Sequence, residues 1–153
     1  MNKDLLRYAA YFAASLTVIF LVAYVLGLAD NYYLRFTNGI AHMTVLYYAI
    51  KQLRLRDPST INNYVSGVAR GLSVGAAGSL AFSIFLLLFL LADPELVNQI
   101  QVATNLGDVL TPYAMALITL GEGIAVSLIG SYLLVRYVDA RLESKSSKNL
   151  YHT

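Results

Sequence analysis

Long apolar stretches separated by short charged clusters set the pattern of this chain. Tyr8 to Ala29 and Gly71 to Ala92 hold no charged residue, and Val109 to Val135 holds only Glu122. A helix rises about 1.5 Å per residue, so each stretch is long enough to cross a hydrocarbon core of roughly 30 Å. Phe36 to Ile50 is also uncharged but shorter. It spans if Arg35 and Lys51 extend their charged ends outward and Tyr32 and Tyr33 sit at the interface.

The basic residues decide that shorter case. With four spans, Lys3, Arg7, Lys51, Arg54, Arg56, Arg70, Arg136, Arg141, Lys145 and Lys148 fall on one side and Arg35 alone on the other. Lys and Arg gather on the cytoplasmic side of membrane proteins. With three spans, the cluster Lys51 to Arg56 would share a loop with the outer end of the first span. The pattern therefore predicts an all-α polytopic membrane protein, with four transmembrane helices in an antiparallel bundle and both termini cytoplasmic. The helices are expected at about 5–29, 33–52, 65–92 and 109–138, in a single domain over 1–142. Gly27-Leu28-Ala29 has the form of a signal-peptide cleavage site, but the apolar region before it exceeds the usual length, and cleavage would leave an odd number of spans.

Turn chemistry fills the gaps. Asp30-Asn31 makes a short outer turn, and Leu53 to Asn63 an inner loop turning at Asp57-Pro58-Ser59-Thr60. Asp93-Pro94-Glu95 reads as an N-cap, a proline at the first helical position and an acidic first turn. It predicts a short interfacial helix over about 94–105, in an outer loop carrying Asp93, Glu95 and Asp108. Residues 143–153 read as a polar flexible tail. The tyrosines at 8, 11, 32, 33, 47, 48, 64, 113 and 137 sit mostly near expected interfaces, as an aromatic belt does.

Composition agrees with lipid as the solvent: 58% of residues are hydrophobic and 13% charged, against about 25% charged in soluble domains. The chain has no cysteine, which excludes disulfides, thiol catalysis and cysteine-held metals. A net charge of +2 does not suggest nucleic acid. HExxH, Walker A, GxSxG and paired acidic metal motifs do not occur. Gly121-Glu122-Gly123 lies in a membrane helix with no strand before it, so it is no dinucleotide fingerprint. No enzyme, cofactor or metal is expected.

Two features are left to carry function. The first is packing. Gly67, Gly71 and Gly75 recur every fourth residue, and Gly78 and Ser79 continue the row; Gly123, Ser127 and Ser131 make a similar row in the last span. Small residues at this spacing let helix backbones approach closely, either inside the bundle or against another subunit. The second is a polar layer. His42 and Glu122 fall at about the same depth, with Ser15 and Ser79 near mid-span on the other two helices. A mid-membrane carboxylate is costly and needs a partner or a task. A His42–Glu122 pair would handle protons or ions. A neutral Glu122 hydrogen-bonded to a carbonyl or to His42 would instead fix helix packing, and glycines flanking Glu122 would let a neighbour reach it. Lys51, Arg54, Arg56, Arg70 and Arg136 read as lipid contacts at the inner surface.

The order of these features resembles a family of small bacterial four-helix membrane proteins, domain of unknown function 4199. The resemblance lies in Lys51-Gln52-Leu53-Arg54-Leu55-Arg56-Asp57, in Ser66-Gly67-Val68-Ala69-Arg70-Gly71-Leu72 and in Gly121-Glu122-Gly123-Ile124-Ala125-Val126-Ser127-Leu128-Ile129-Gly130-Ser131, and covers roughly residues 5–138. It implies the four-span topology and a bacterial inner membrane, and transfers no activity. The expectation is a non-enzymatic inner-membrane protein, an accessory or assembly subunit or a homo-oligomer packing through its small-residue faces. The alternative is a small channel or ion-coupled transporter built on Glu122 and His42.

Overall fold

A computed structural model describes residues 3–28, 33–56, 63–104 and 107–150. The turns at Asp30-Asn31 and Asp57-Pro58-Ser59-Thr60, Tyr32 and His152 lie outside these residues, as do the side chains of Arg35, Asp108, Lys145 and Lys148. The described chain is all helical: α1 (Lys3–Val25), α2 (Tyr33–Arg56), α3 (Tyr64–Ala92), α4 (Pro94–Thr104), a 3-10 turn (Gly107–Val109) and α5 (Pro112–Leu150). Of these, α1, α3 and the Pro112–Leu142 part of α5 are long and apolar enough to cross a membrane, which fits a membrane protein. α2 has the length but carries Arg35, Lys51, Arg54 and Arg56 and falls short in apolar character.

Local chemistry sets the ends. α1 stops at Gly27, not at residue 29. Gly27 takes a positive φ of 66°, its N–H donates to the Tyr24 carbonyl and the Leu28 N–H to the Ala23 carbonyl. This is a Schellman closure, and glycine adopts that backbone without steric cost. Asn63 caps α3 by accepting from the Ser66 N–H. Asp93 caps α4 as its sequence suggests, accepting from the Leu96 N–H at 3.1 Å, with Pro94 first in the helix. Thr111 caps α5 by accepting from the Ala114 N–H, ahead of Pro112. α5 thus starts at 112 and not 109. It continues as helix to Leu150, where a flexible tail was expected from residue 143.

Asp93 also ties α4 to α1. Its second carboxylate oxygen accepts from the Tyr24 hydroxyl at 2.6 Å. This bond first, and the Leu96 N–H second, hold the Asp93 carboxyl below the usual carboxylate range. A lowered folded pKa means the contribution is complete above the unfolded value of about 4 and is lost as pH falls through the lower folded value. An NMR titration of the Asp93 carboxyl should therefore show its midpoint rise in Tyr24→Phe. An unchanged midpoint would mean that the phenol does not set it.

α3 is the central helix. It buries Gly67, Gly71, Val74, Gly75, Gly78, Ser79, Phe82, Ser83, Leu86 and Leu90. Toward α4 it packs with Phe12, Leu16 and Phe20 of α1 and Met115 of α5. Phe20 meets Phe82, Phe85 and Phe89 edge-on. At the other end Leu46 and Ile50 of α2 pack with Val135 and Val138 of α5. Glycine and serine determine the α3–α5 seam. Gly71 faces Ser131, Gly75 faces Ser127, and Ser79 faces Gly123. Each step of four up α3 matches a step of four down α5, so the two run antiparallel. Gly78 turns the other way, against Phe12 and the Ala9 carbonyl of α1. Gly71, Gly75 and Ser79 of one row and Gly123, Ser127 and Ser131 of the other therefore pack against each other within one chain.

Candidate functional site

The His42 side chain is 5% exposed and its ring meets Phe12 edge-on at 4.3 Å between centroids. Its Nε2 lies 2.8 Å from Ser127 Oγ. The Ser127 hydroxyl has one hydrogen, and that donates to the Gly123 carbonyl at 2.6 Å. Nε2 must then be the donor to Ser127. The chain His42 to Ser127 to Gly123 thereby joins α2 to α5 and assigns the Nε2–H form to the imidazole. The expected partner was Glu122; the hydrogen-bond partner found is Ser127.

Glu122 does share a wall with His42. A hollow of about 110 Å³ is lined by Asn38, Gly39 and His42 of α2, Ser79 and Phe82 of α3, Thr119, Glu122, Gly123 and Val126 of α5 and Leu16 of α1. A second, of about 180 Å³, shares Asn38, Phe82, Thr119 and Glu122 with it and extends to Ile100 and Thr104 of α4. Glu122 itself is exposed. Ser79 is 2% exposed, and neither its hydroxyl nor the Asn38 carbonyl oxygen has a hydrogen-bond partner among the described residues. Ser15 stays apart: it donates to the Phe12 carbonyl of its own helix. Of the flanking glycines, only Gly123 meets a neighbour, Ser79; Gly121 faces open space.

Three of the four expected polar residues thus meet at one hollow. Asn38 and Thr119 were missed, although a polar residue between the expected ends of a membrane helix was available as a signal for each. Among the described residues no group of three or more potential metal ligands occurs.

Arg54 is where the structure departs most from expectation. It does not reach for lipid at the inner surface. α2 continues to Arg56, and this carries Arg54 into the bundle, where it is 1% exposed and pairs with Asp139 of α5 at 2.8 Å. It also donates to the Asn63 carbonyl, the residue capping α3. Gly67 makes the room, because a Cβ there would meet the guanidinium. Of the other expected lipid contacts, Arg56 pairs with Asp4 of α1, Lys51 and Arg70 are half-buried, and Arg136 is exposed.

Comparison with protein-family models, curated proteins and solved structures gives no match.

Proposed function

We propose that this chain is a non-enzymatic, four-span membrane protein that admits a proton or small ion to the hollow at mid-depth, as a small channel or ion-coupled transporter. One observation carries the reading. Ser79 and Asn38, whose buried hydroxyl and side-chain carbonyl oxygen have no protein partners among the described residues, line the same hollow as His42 and Glu122. Buried polar groups are normally hydrogen-bonded, so unpartnered polar groups beside a hollow of this size call for water or a polar occupant. α2 as the fourth span is supported by its contacts: Phe12 with His42 and Asp4 with Arg56 set it antiparallel to α1. His42 with Ser127 and Arg54 with Asp139 set it parallel to α5. The biased distribution of basic residues supports cytoplasmic termini, and a bacterial inner membrane and membership of the resembled family belong to the same proposal.

Proteoliposomes holding the purified chain should show proton or cation flux that falls about tenfold or more in Glu122→Gln, the equivalent of about 1.4 kcal/mol. Flux that persists unchanged in this variant, or its absence from the wild type, would sink the reading. The accessory-subunit reading keeps one support. α5 extends eight residues past Leu142 to Leu150, roughly 12 Å of helix, and offers a handle to a partner. Co-purification of a partner that is lost on removing residues 143–153 would favour it.

A further inference from the structure

We infer that the inner ends of α2 and α5 form a binding site for the phosphate of an anionic lipid headgroup, built from Lys51, Arg141, Tyr47 and Tyr137. Its place at the membrane surface rests on the orientation proposed above; the site does not depend on the hollow. Lys51 Nζ lies 5.9 Å from the centre of the Tyr47 ring one turn before it. The Arg141 guanidinium lies 5.3 Å from the Tyr137 ring one turn before it. The two rings stand 6.1 Å apart across the helix pair. Because α2 and α5 run in the same direction, both cations emerge at the same end.

Between them is a hollow of about 50 Å³, walled by Tyr47, Lys51, Arg141, Val138 and Leu142. Drug-sized ligands occupy roughly 300–1,000 Å³, so this space suits a small group. Its lining has two positive charges, no acid and an apolar floor. The nearby Asp139 carboxylate faces Arg54 instead. Among the described residues neither Lys51 nor Arg141 has an acidic partner. Tyrosine rings hold the cations in place at little entropic cost and leave their N–H groups free to donate. A basic pocket between helices at the cytoplasmic surface is the arrangement that takes anionic headgroups.

The test uses the full chain in mild detergent, with phosphatidylglycerol, phosphatidylcholine or inorganic phosphate added, and reads retained adducts by native mass spectrometry. Phosphatidylglycerol is expected to bind tightest and to resist competition by inorganic phosphate. The Lys51→Gln/Arg141→Gln pair should weaken it about thirtyfold, from roughly fivefold per cation. Lys51→Arg/Arg141→Lys should retain it within about threefold. Equal binding of the two lipids, or undiminished phosphatidylglycerol binding in the double glutamine variant, would overturn the site. Displacement by inorganic phosphate would overturn the lipid assignment in favour of a free-anion site. Ion flux through the hollow should be untouched by the double variant, so the two proposals fail separately.

Discussion

Gly75→Leu is expected to unfold the α3–α5 pair, at about 3 kcal/mol or more, since forcing extra methylenes into a packed core typically costs 1–3 kcal/mol and here several meet one helix. Any Cβ at position 75 collides with the hydroxyl and Cβ of Ser127. Ser127 is 0% exposed and held from both sides, by His42 and by the Gly123 carbonyl. It has no room to withdraw, so the helices must separate. Lipid offers no hydrophobic drive to bring them back, because close packing is what holds membrane helices together. Loss of helical signal during titration with sodium dodecyl sulfate measures the effect. Gly121→Ala on α5 is the control: its glycine faces open space, and stability should hold or rise slightly. Gly71→Ala should be destabilising alone and partly rescued by Ser131→Gly. The Ser131 hydroxyl has no hydrogen-bond partner among the described residues, so its removal loses little. A fully stable Gly75→Leu would show that the seam is not as close as described.

Asp139→Ala should cost up to about 3–5 kcal/mol, the usual effect of taking one member from a buried ion pair. Arg54 is 1% exposed, with Gly67 against its guanidinium. Removing the carboxylate leaves a cation enclosed by α2, α3 and α5. Much of that cost is the burial of the remaining cation, so Arg54→Met/Asp139→Leu should regain most of the loss. The same detergent titration reads both. If the double variant is no better than Asp139→Ala, the pair contributes more than mutual neutralisation.

These residues mark how far the sequence could be read. The rows of small residues were legible because glycine and serine every fourth position have few purposes in an apolar helix. The Asp93-Pro94 cap was legible because it is local. Arg54 was not. A basic residue in a polar segment reads as surface, and its burial depends on Asn63, Gly67 and Asp139, which meet it only in the folded chain. The one hint was that Gly67 began a row whose opposite position, Val135, is not small. Ser127 as the hydrogen-bond partner of His42 was not legible for another reason. Depth along the membrane says nothing of rotation about the helix axis. Ser127 is five residues past Glu122, about 140° round the helix, and the rotation decides which of the two meets the imidazole. Gly27 is readable as a helix stop, but the end of the uncharged stretch at Ala29 set the expected boundary, so α1 is shorter than expected.

Glycine changes sides along the α3–α5 seam: it stands on α3 at 71 and 75, and on α5 at 123. Were all the glycines on one helix, α3 could slide by one turn and still find a smooth groove. With the exchange, sliding one turn one way sets Ser79 against Ser127, and the other way sets it against Thr119. Each slip drives side chain against side chain where one rung now offers bare backbone. The seam therefore admits a single alignment of the two helices, selected by shape together with the hydrogen bonds that Ser83 and Tyr64 of α3 donate to the Ala116 and Tyr132 carbonyls of α5.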